Sequence, residues 1–306
     1  MRLDKDKDLF NKTIKEASLM LNVAEEYVEK DYWLFLLLKE IFKNSEREYV
    51  FKGGTSLSKC YRLVNRFSED IDISYSSSFD SINSGEIKRK FKGITKAIKE
   101  VGLTIKNTDK LRWNRYFNQF VCPYESSFNN NGLENNIIIE LAAQTPSFPS
   151  EEKEICSFIG EYFKKMERDD LIAYYELEPF NIRVQSLSRT LIDKTFAICD
   201  YYLTNKCNRH SRHIYDISKL INVVCLDESL ADLYLEVREY RRKIKVCHSA
   251  RNNHKLYALI DSIIVEQSFK NDYENITRQL LYENYQYSTC ENSLKALQNF
   301  LKEHNI

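Results

Sequence analysis

The sequence predicts an α+β protein in which a short mixed sheet flanked by helices, over residues 1–185, precedes a C-terminal helical bundle over residues 186–306. Glycine and proline are scarce, at seven and four residues of 306, which disfavours an all-β chain built on many tight turns. Strand-like segments occur only before about residue 186, whereas helical periodicity dominates afterwards. We therefore expect two domains that meet near residue 185.

Predicted helices and strands alternate in the first domain. Apolar residues at three- and four-residue steps predict helices over 6–18 and 22–44. The other elements follow from period-two alternation, turn residues and amphipathic spacing. They are strands over 46–51, 70–75, 112–122, 134–142 and 180–185, helices over 56–64, 84–101 and 151–167, and a loop over 146–149.

The second domain is predicted to contain helices without a convincing strand. Their expected ranges are 187–203, 212–224, 229–246 and 255 to the end. No internal repeat or low-complexity segment interrupts this pattern.

Composition predicts a cytoplasmic protein with no membrane partner. The charged start MRLDKDKDLF lacks the apolar core of a secretory signal, and the apolar run Tyr32 to Leu38 is too short to span a bilayer. The eight cysteines include no C-x-x-C pair, so we expect reduced thiols and neither disulfides nor a zinc site. Basic and acidic residues number 45 each, so a nucleic-acid partner would need a local basic patch.

Two carboxylates lie two residues apart on the predicted strand 70–75. Asp70 and Asp72 leave the same face of a strand, while Ile71 and Ile73 point to the other face, toward a core. Carboxylates at this spacing can share Mg²⁺ or Mn²⁺, which prefer oxygen ligands and bridge to substrate phosphates. Such a metal offsets the charge that develops in phosphoryl and nucleotidyl transfer. For the pair alone, the alternative is a solvated strand face.

A glycine pair lies between a predicted strand and a predicted helix. Gly53 and Gly54 would let the phosphates of a nucleoside triphosphate approach exposed backbone N–H groups. Thr55 and Ser56 add hydroxyl donors, and Lys59 lies one turn along the same helix. The glycine pair alone could be a turn. The order of strand, GG-T/S, helix and D-x-D instead predicts a nucleotide-binding site.

The segment FKGGTSLSKCYRLVNRFSEDIDISY resembles the AbiEii/AbiGii toxin family, a branch of the polymerase-β-like nucleotidyltransferases. That family reads hydrophobic-x-GGT-x-L-x-K, followed by R-F-S-E/D-D-I/V-D. The matching positions are Gly53, Gly54, Thr55, Leu57 and Lys59, then Arg66, Phe67, Ser68, Glu69, Asp70 and Asp72. The resemblance implies a nucleotidyltransferase fold and a magnesium-dependent enzyme that transfers a nucleotide to an acceptor hydroxyl and releases pyrophosphate.

A third acid is implied by the same resemblance. The superfamily usually carries an acid on a later strand, and the segment NIIIEL offers Glu140. By resemblance, Glu140 completes the metal site with Asp70 and Asp72. An isolated acid among apolar residues is usually paired or liganded, although a sheet-edge glutamate that serves solubility is the alternative.

Two later segments, LSRTLIDKTFAICDYY and NRHSRHIYDISKL, match the family elements R-T-L/F-x-D/E-K and S/R-R-H-x-Y-D. The resemblance implies that Lys194 and Arg212 bind phosphate, and that Asp216 acts as a base or orients the acceptor hydroxyl. The alternatives are the polar side of a helix for Lys194 and an i,i+4 ion pair between Arg212 and Asp216. His213 is a weaker candidate, because a capping or core histidine is common. The active site is expected in the cleft between the two domains.

Basic residues are concentrated on the predicted helix 84–101. They are Lys88, Arg89, Lys90, Lys92, Lys96 and Lys99. With Lys206, Arg209 and Arg212 they could form a track for an RNA backbone. A solvated helix face is the alternative.

The resemblance also implies the biological partners. It implies a toxin that adds nucleotides to the 3′ end of tRNA, and a separately encoded, DNA-binding antitoxin. One alternative is a protein hydroxyl as the acceptor. Another is a nucleotide-binding interaction protein without catalysis, against which the intact pair Asp70 and Asp72 weighs.

Overall fold

The computed structural model describes residues 1–43, 49–66, 68, 70–75, 84–112, 117–128, 134–142 and 146–306, apart from the side chains of residues 84, 86, 87 and 90. The motif positions Phe67 and Glu69 and the Lys90 side chain lie outside this description. Contacts divide the chain into two compact units. The sheet unit comprises Met1–Tyr61, Ser68–Pro146 and Ser150–Val184, and the helical unit comprises Arg62–Phe67, Ser147–Pro149 and Gln185–Ile306.

The sheet unit contains a mixed sheet with helices around it. Its described α-helices are α1 (Lys7–Leu21), α2 (Glu25–Lys43), α3 (Gly53–Lys59), α4 (Ser84–Glu100), α5 (Phe158–Lys165) and α6 (Asp169–Tyr174). Its described strands are β1 (Tyr49–Lys52), β2 (Asp70–Tyr75), β3 (Phe117–Pro123), β4 (Asn136–Ala142), β5 (Ser150–Ile155) and β6 (Phe180–Gln185). The strands form a six-stranded sheet in the order β3-β4-β2-β1-β6-β5. Antiparallel pairs β1/β2 and β3/β4 accompany parallel pairs β2/β4 and β1/β6, so the predicted fold class is confirmed.

Strand β2 forms because its sequence alternates in the way that a half-buried strand requires. Ile71 and Ile73 are fully buried and belong to the main hydrophobic cluster. Asp70 and Asp72 alternate with them and are half-buried. Helix α2 contributes Phe35 and its apolar neighbours to the same cluster. The core therefore fixes β2 from one face and leaves the aspartates on the other.

The predicted helix over 151–167 is wrong in its first part. Ser150–Ile155 forms the edge strand β5, and α5 begins only at Phe158. The Ser157 side chain caps α5 by accepting the Gly160 N–H at 3.0 Å. The strand reads SEEKEI, and charged side chains are typical of sheet edges because they discourage pairing with another chain. The charged residues that suggest the solvent face of a helix are therefore those of an edge strand.

The helix after the glycine pair also differs from its prediction. Helix α3 spans Gly53–Lys59, whereas the sequence predicts 56–64. The chain then leaves the sheet unit, and Arg62–Phe67 belongs to the helical unit. There Arg66 forms an isolated antiparallel bridge with Leu281. Arg62 has a left-handed φ of 51°, which a right-handed helix cannot continue through, so α3 ends before it.

The helical unit carries the remaining described α-helices. They are α7 (Leu187–Leu203), α8 (Arg212–Ile221), α9 (Glu228–Arg242), α10 (Leu256–Val265), α11 (Lys270–Asn275) and α12 (Tyr287–Glu303). The stretch from residue 255 to the end, for which helix is predicted, is helical but is divided into α10, α11 and α12. Gln267 adopts a left-handed φ of 50°, which a right-handed helix cannot continue through.

The apolarity of the helices and the state of the cysteines bear on two predictions made from the composition. No helix in the described ranges is both long and apolar enough to cross a membrane. All eight cysteines are free. Burial raises the pKa of the Cys60 and Cys122 thiols to about 12, so both pack as protonated, weakly polar groups.

Candidate active site

Asp72 lies between residues of two neighbouring strands. In the sheet register its partner on β1 is Lys52, and its partner on β4 is Glu140. Asp70 lies two residues earlier on β2, opposite Ile138 of β4. Because side chains alternate along a strand, both aspartates leave the face opposite the buried isoleucines. Strand β2 thus presents two acids on one face, with a lysine and a third acid beside Asp72.

Glu140 is close enough to Asp72 for the two carboxyl groups to interact. Burial raises the pKa of Glu140, and the negative charge of Asp72 raises it further. Gln119 opposes this shift by donating a hydrogen bond of 2.9 Å to Glu140 Oε1. Two crowded carboxyl groups attract a divalent cation as well as a proton, because either one offsets their mutual repulsion.

The acids fit a magnesium site that substrate would complete. Among the residues described, no three His, Cys, Asp or Glu side chains are grouped closely enough to hold a metal ion, so Asp70 does not join Asp72 and Glu140 in one cluster. Mg²⁺ is usually bound through one or two carboxylates together with substrate phosphates and water. The Asp72–Glu140 pair supplies that number of carboxylates, and Asp70 lies on the same face.

Gly53 lets helix α3 begin directly against Asp72. Its φ is +77°, and a Cβ added to it would lie 1.9 Å from Asp72 Oδ2 and 2.7 Å from Asp72 Cγ. Only glycine satisfies both the left-handed backbone and this close approach. The first residue of the glycine pair is therefore required by the position of the acid itself. Gly54 follows as the second residue of α3 and is half-buried.

The hydroxyl groups of Thr55 and Ser56 are turned into the protein. The two residues are 1% and 0% exposed. Thr55 Oγ1 donates to the backbone oxygen of Asp70 at 2.6 Å and lies 2.9 Å from Ser68 Oγ. Ser56 Oγ donates to the backbone oxygen of Gly53 at 2.9 Å. Thr55 thereby joins α3 to the first residue of the acid strand, and nucleotide binding by either hydroxyl stays a prediction.

Lys59, for which phosphate binding is predicted, forms a buried ion pair with Asp31 of α2. The Nζ–Oδ1 distance is 2.6 Å, and the side chains are 9% and 6% exposed. Lys59 Nζ also lies 4.1 Å from the centre of the Phe158 ring. Asp31 Oδ2 accepts the Phe158 N–H at 2.6 Å. These contacts fix α3 to α2 and α5, and a phosphate at Lys59 would compete with Asp31.

In the helical unit, Asp216 is the centre of a buried ion cluster. Arg66 Nε and Nη2 each donate to one Asp216 oxygen at 2.7 Å, and Lys194 Nζ donates to Oδ2 at 2.6 Å. Asp216 is 0% exposed, Arg66 4% and Lys194 5%. Burial alone would raise the pKa of Asp216, but Arg66 and Lys194 hold it well below its usual range. The carboxylate stays ionised, with both oxygens bonded.

Arg212 and Asp216 do not form the i,i+4 ion pair considered from their spacing. The described ion pairs of Asp216 are with Arg66 and Lys194. Asp216 accepts one bond at Oδ1 and two at Oδ2, and all three come from Arg66 and Lys194. Arg212 is half-buried, at the first position of α8.

Lys194 has both positive and negative side chains around it. Burial lowers the pKa of Lys194, and the charges of Arg66 and Arg212 add to this effect against the attraction of Asp216. His213 Nδ1 lies 3.5 Å from Lys194 Nζ, and burial together with Lys194 lowers the pKa of His213 well below its usual value. Neutral His213 therefore adds no charge. Lys194 is thus a buried cation bonded to one Asp216 oxygen, with Arg66 and Arg212 as positive neighbours.

Sequence reasoning missed Arg66, Gln119 and Asp31 as parts of these arrangements. Arg66 belongs to the recognised motif, but its partner lies 150 residues away and no local pattern joins them. Asp31 ends the charged triplet Glu29–Asp31 directly before an apolar run, which is a signal for buried, paired charge. Gln119 follows ordinary strand alternation, and nothing in the sequence distinguishes it.

A mixed sheet with paired acids on one face is the arrangement expected of a nucleotidyltransferase, and the family match establishes that class. Residues 36–299 match the family described as the nucleotidyl transferase AbiEii toxin of type IV toxin–antitoxin systems. The chain belongs to this family and is a nucleotidyltransferase toxin of that class. The resemblance read from the sequence motifs is thereby confirmed.

A solved structure shares the fold of this chain. It is MenT4, a nucleotidyltransferase toxin from Mycobacterium tuberculosis H37Rv, with 20% sequence identity and a TM-score of 0.61. The match covers 95% of this chain and 88% of that chain. At this identity the likeness is evidence for the fold alone. No curated protein sequence matches the chain.

Proposed function

We propose that the chain transfers a nucleoside monophosphate from a nucleoside triphosphate to the 3′-terminal hydroxyl of tRNA. The acceptor oxygen forms a bond to the α-phosphorus, the bond from that phosphorus to the bridging oxygen breaks, and the electron pair leaves with pyrophosphate. The hydroxyl proton passes to solvent. The observation that carries this proposal is the crowded carboxyl pair of Asp72 and Glu140 beside the glycine start of α3.

The acids would hold Mg²⁺, or Mn²⁺ in its place. Asp72 and Glu140 would be protein ligands, and Asp70 of the same strand face would have to turn toward the ion to become the third. The bound ion would offset the charge that develops on the phosphate oxygens. Gln119 keeps Glu140 oriented through its 2.9 Å hydrogen bond. Gly53 leaves room for the Asp72 carboxylate, so this carboxylate can keep one position as a metal ligand.

Lys194 is proposed to bind a phosphate of the nucleotide, with Arg212 as a second contact. The positive charges of Arg66 and Arg212 near Lys194 support this role, because they attract an anionic phosphate to the same place. Asp216 then acts as a positioning residue and not as a base, since both its oxygens are bonded and its proton affinity is low. Arg66 holds Asp216, and Asp216 holds Lys194.

The family also supports a second protein as partner. Type IV toxin–antitoxin systems pair a toxin with an antitoxin, and we propose that the antitoxin here is a separately encoded DNA-binding protein. Expression of the toxin alone should arrest growth, and expression of an Asp70→Ala/Asp72→Ala variant should not. Growth arrest by both proteins would show that toxicity does not depend on the acids.

Labelled nucleotides test the proposed reaction directly. The protein would be incubated with Mg²⁺, total tRNA and each nucleoside triphosphate labelled at the α-phosphate, beside the Asp70→Ala/Asp72→Ala variant. We expect label in tRNA with the wild type and background label with the variant. Label in protein instead of tRNA would show that the acceptor is a protein hydroxyl. Equal background labelling by both chains would overturn the enzymatic proposal.

Replacing Gly53 by alanine should reduce transfer far more than it reduces stability. The new Cβ would overlap Asp72 Oδ2, so the carboxylate must move. The left-handed backbone should add about 1–2 kcal/mol of destabilisation, measured by chemical denaturation. Gly102→Ala is a matched control, because Gly102 has the same φ of +77° but its nearest contact to an added Cβ is 3.5 Å. Equal loss of transfer in both variants would contradict a specific role for Gly53.

A further inference from the structure

Helix α4 presents a row of exposed lysines along one face. The row consists of Lys88, Lys92, Lys96 and Lys99, each of which is exposed. Steps of four, four and three residues bring these side chains onto the same side of a helix. The other side of α4 carries Phe91, Ile94 and Ile98, which are 0% exposed. The core thus fixes the helix, and the lysine row faces solvent.

The four lysines lack acidic partners among the residues that the structure describes. Other surface lysines do form i,i+4 pairs, such as Lys295 with Glu291 at 2.6 Å. Lys96 and Glu100 have the same spacing, yet no ion pair joins them in the described contacts. Within the described part of the chain, no acid therefore offsets the charge of the row.

Basic residues are concentrated in this part of an otherwise balanced chain. The whole sequence has 45 basic and 45 acidic residues. Residues 84–112 contain nine basic residues, Lys88, Arg89, Lys90, Lys92, Lys96, Lys99, Lys106, Lys110 and Arg112, against three acidic residues, Glu86, Glu100 and Asp109. Lys106, Lys110 and Arg112 are exposed as well. The chain has no net charge, but this part of it forms a local positive surface. Such a surface can attract a polyanion although the whole protein is neutral.

We propose that the lysine row binds the phosphate backbone of the RNA acceptor. This inference rests on the proposed function, in which the acceptor is tRNA. From Lys88 to Lys99 the row is about 16 Å long, at about 1.5 Å of rise per residue. A rigid row of this length suits the successive phosphates of one strand better than it suits a single phosphate. Membrane binding is disfavoured, because an interfacial helix needs an exposed apolar face and that of α4 is buried.

Binding measured without nucleotide tests the row separately from catalysis. All chains would carry Asp70→Asn/Asp72→Asn, and the probe would be fluorescein-labelled unfractionated tRNA, followed by anisotropy across a salt series. Replacing the four lysines of the row by glutamine should weaken binding about tenfold or more. It should also reduce the slope of log K against log salt by about 3, since each phosphate contact contributes about 0.7–0.9.

The matched control removes the same charge elsewhere on the sheet unit. It replaces Lys12, Lys15, Lys164 and Lys165 by glutamine, all exposed on α1 and α5. We expect less than a threefold change in tRNA affinity and an unchanged slope. Thermal unfolding of each variant checks that the fold is retained.

Three results would overturn the inference. Equal weakening of tRNA binding by both sets of substitutions would show that only net charge matters. Unchanged tRNA binding in both variants would show that the row is not the RNA-binding surface. Loss of binding to phosphatidylglycerol vesicles with tRNA binding intact would assign the row to a membrane. Each of these results leaves the transfer reaction untouched, because transfer is read separately by nucleotide labelling of the wild-type chain.

Discussion

Replacing Asp70 and Asp72 together by asparagine should lower the rate of nucleotidyl transfer roughly 1,000-fold or more, as loss of several kcal/mol of metal-dependent stabilisation requires. Asparagine keeps the size of each side chain but supplies no charge to a cation. The free energy of unfolding should stay level or rise, because removing the Asp72 charge relieves its repulsion with Glu140. Initial rates with α-labelled nucleotide and chemical denaturation measure the two effects.

Asp169→Asn/Asp170→Asn is the matched control for this substitution. These two acids are exposed on α6 of the same unit, so the same charge is removed away from the acid strand. We expect less than a twofold change in rate. If the Asp70→Asn/Asp72→Asn chain kept more than a tenth of wild-type activity, the acids of β2 would not be the catalytic metal ligands.

Asp216→Ala should destabilise the protein by about 3–5 kcal/mol, because it leaves two buried cations without their carboxylate. Arg66 and Lys194 both bond Asp216 at 2.6–2.7 Å and are nearly excluded from solvent. Arg66→Met should cost less, since Lys194 still balances Asp216. Urea denaturation measures both values, and the reverse order would show that Asp216 is not the centre of the cluster.

The same cluster predicts a pH dependence of stability. Arg66 and Lys194 depress the pKa of Asp216 in the folded protein, against about 3.9 in the unfolded chain. The stabilisation from this depressed pKa is fully present above the unfolded value and is lost as pH falls through the folded value. Below about pH 4, the free energy of unfolding should therefore fall more steeply in the wild type than in Asp216→Asn. Parallel curves over this range would contradict the ionised state of Asp216.

Elements with strong local patterns could be predicted from the sequence. The observed bounds of β2, β6 and α7 equal the predicted ranges 70–75, 180–185 and 187–203. Strand β2 alternates isoleucine with polar residues, and α7 starts after Ser186, whose side chain accepts the Arg189 N–H at 3.3 Å. Strand β5 could not be predicted in this way, because an edge strand is charged and its partner β6 comes later in the chain.

The candidate site likewise has features that could be predicted from the sequence and features that could not. The spacing of Asp70 and Asp72 is local, so their shared face follows from strand geometry alone. The direction of the Thr55 hydroxyl depends on where the backbone of Asp70 passes, and tertiary packing decides this. The bond between Arg66 and Asp216 depends on the fold of the helical unit.

The fate of two labels decides whether the chain transfers a nucleotide or a phosphoryl group. The wild-type protein would receive total tRNA, Mg²⁺ and a nucleoside triphosphate labelled at either the α- or the γ-phosphate. We predict that the α-label appears at the tRNA 3′ end and the γ-label appears in pyrophosphate. Transfer of the γ-label to RNA, or its release as inorganic phosphate without labelled RNA, would contradict nucleotidyl transfer.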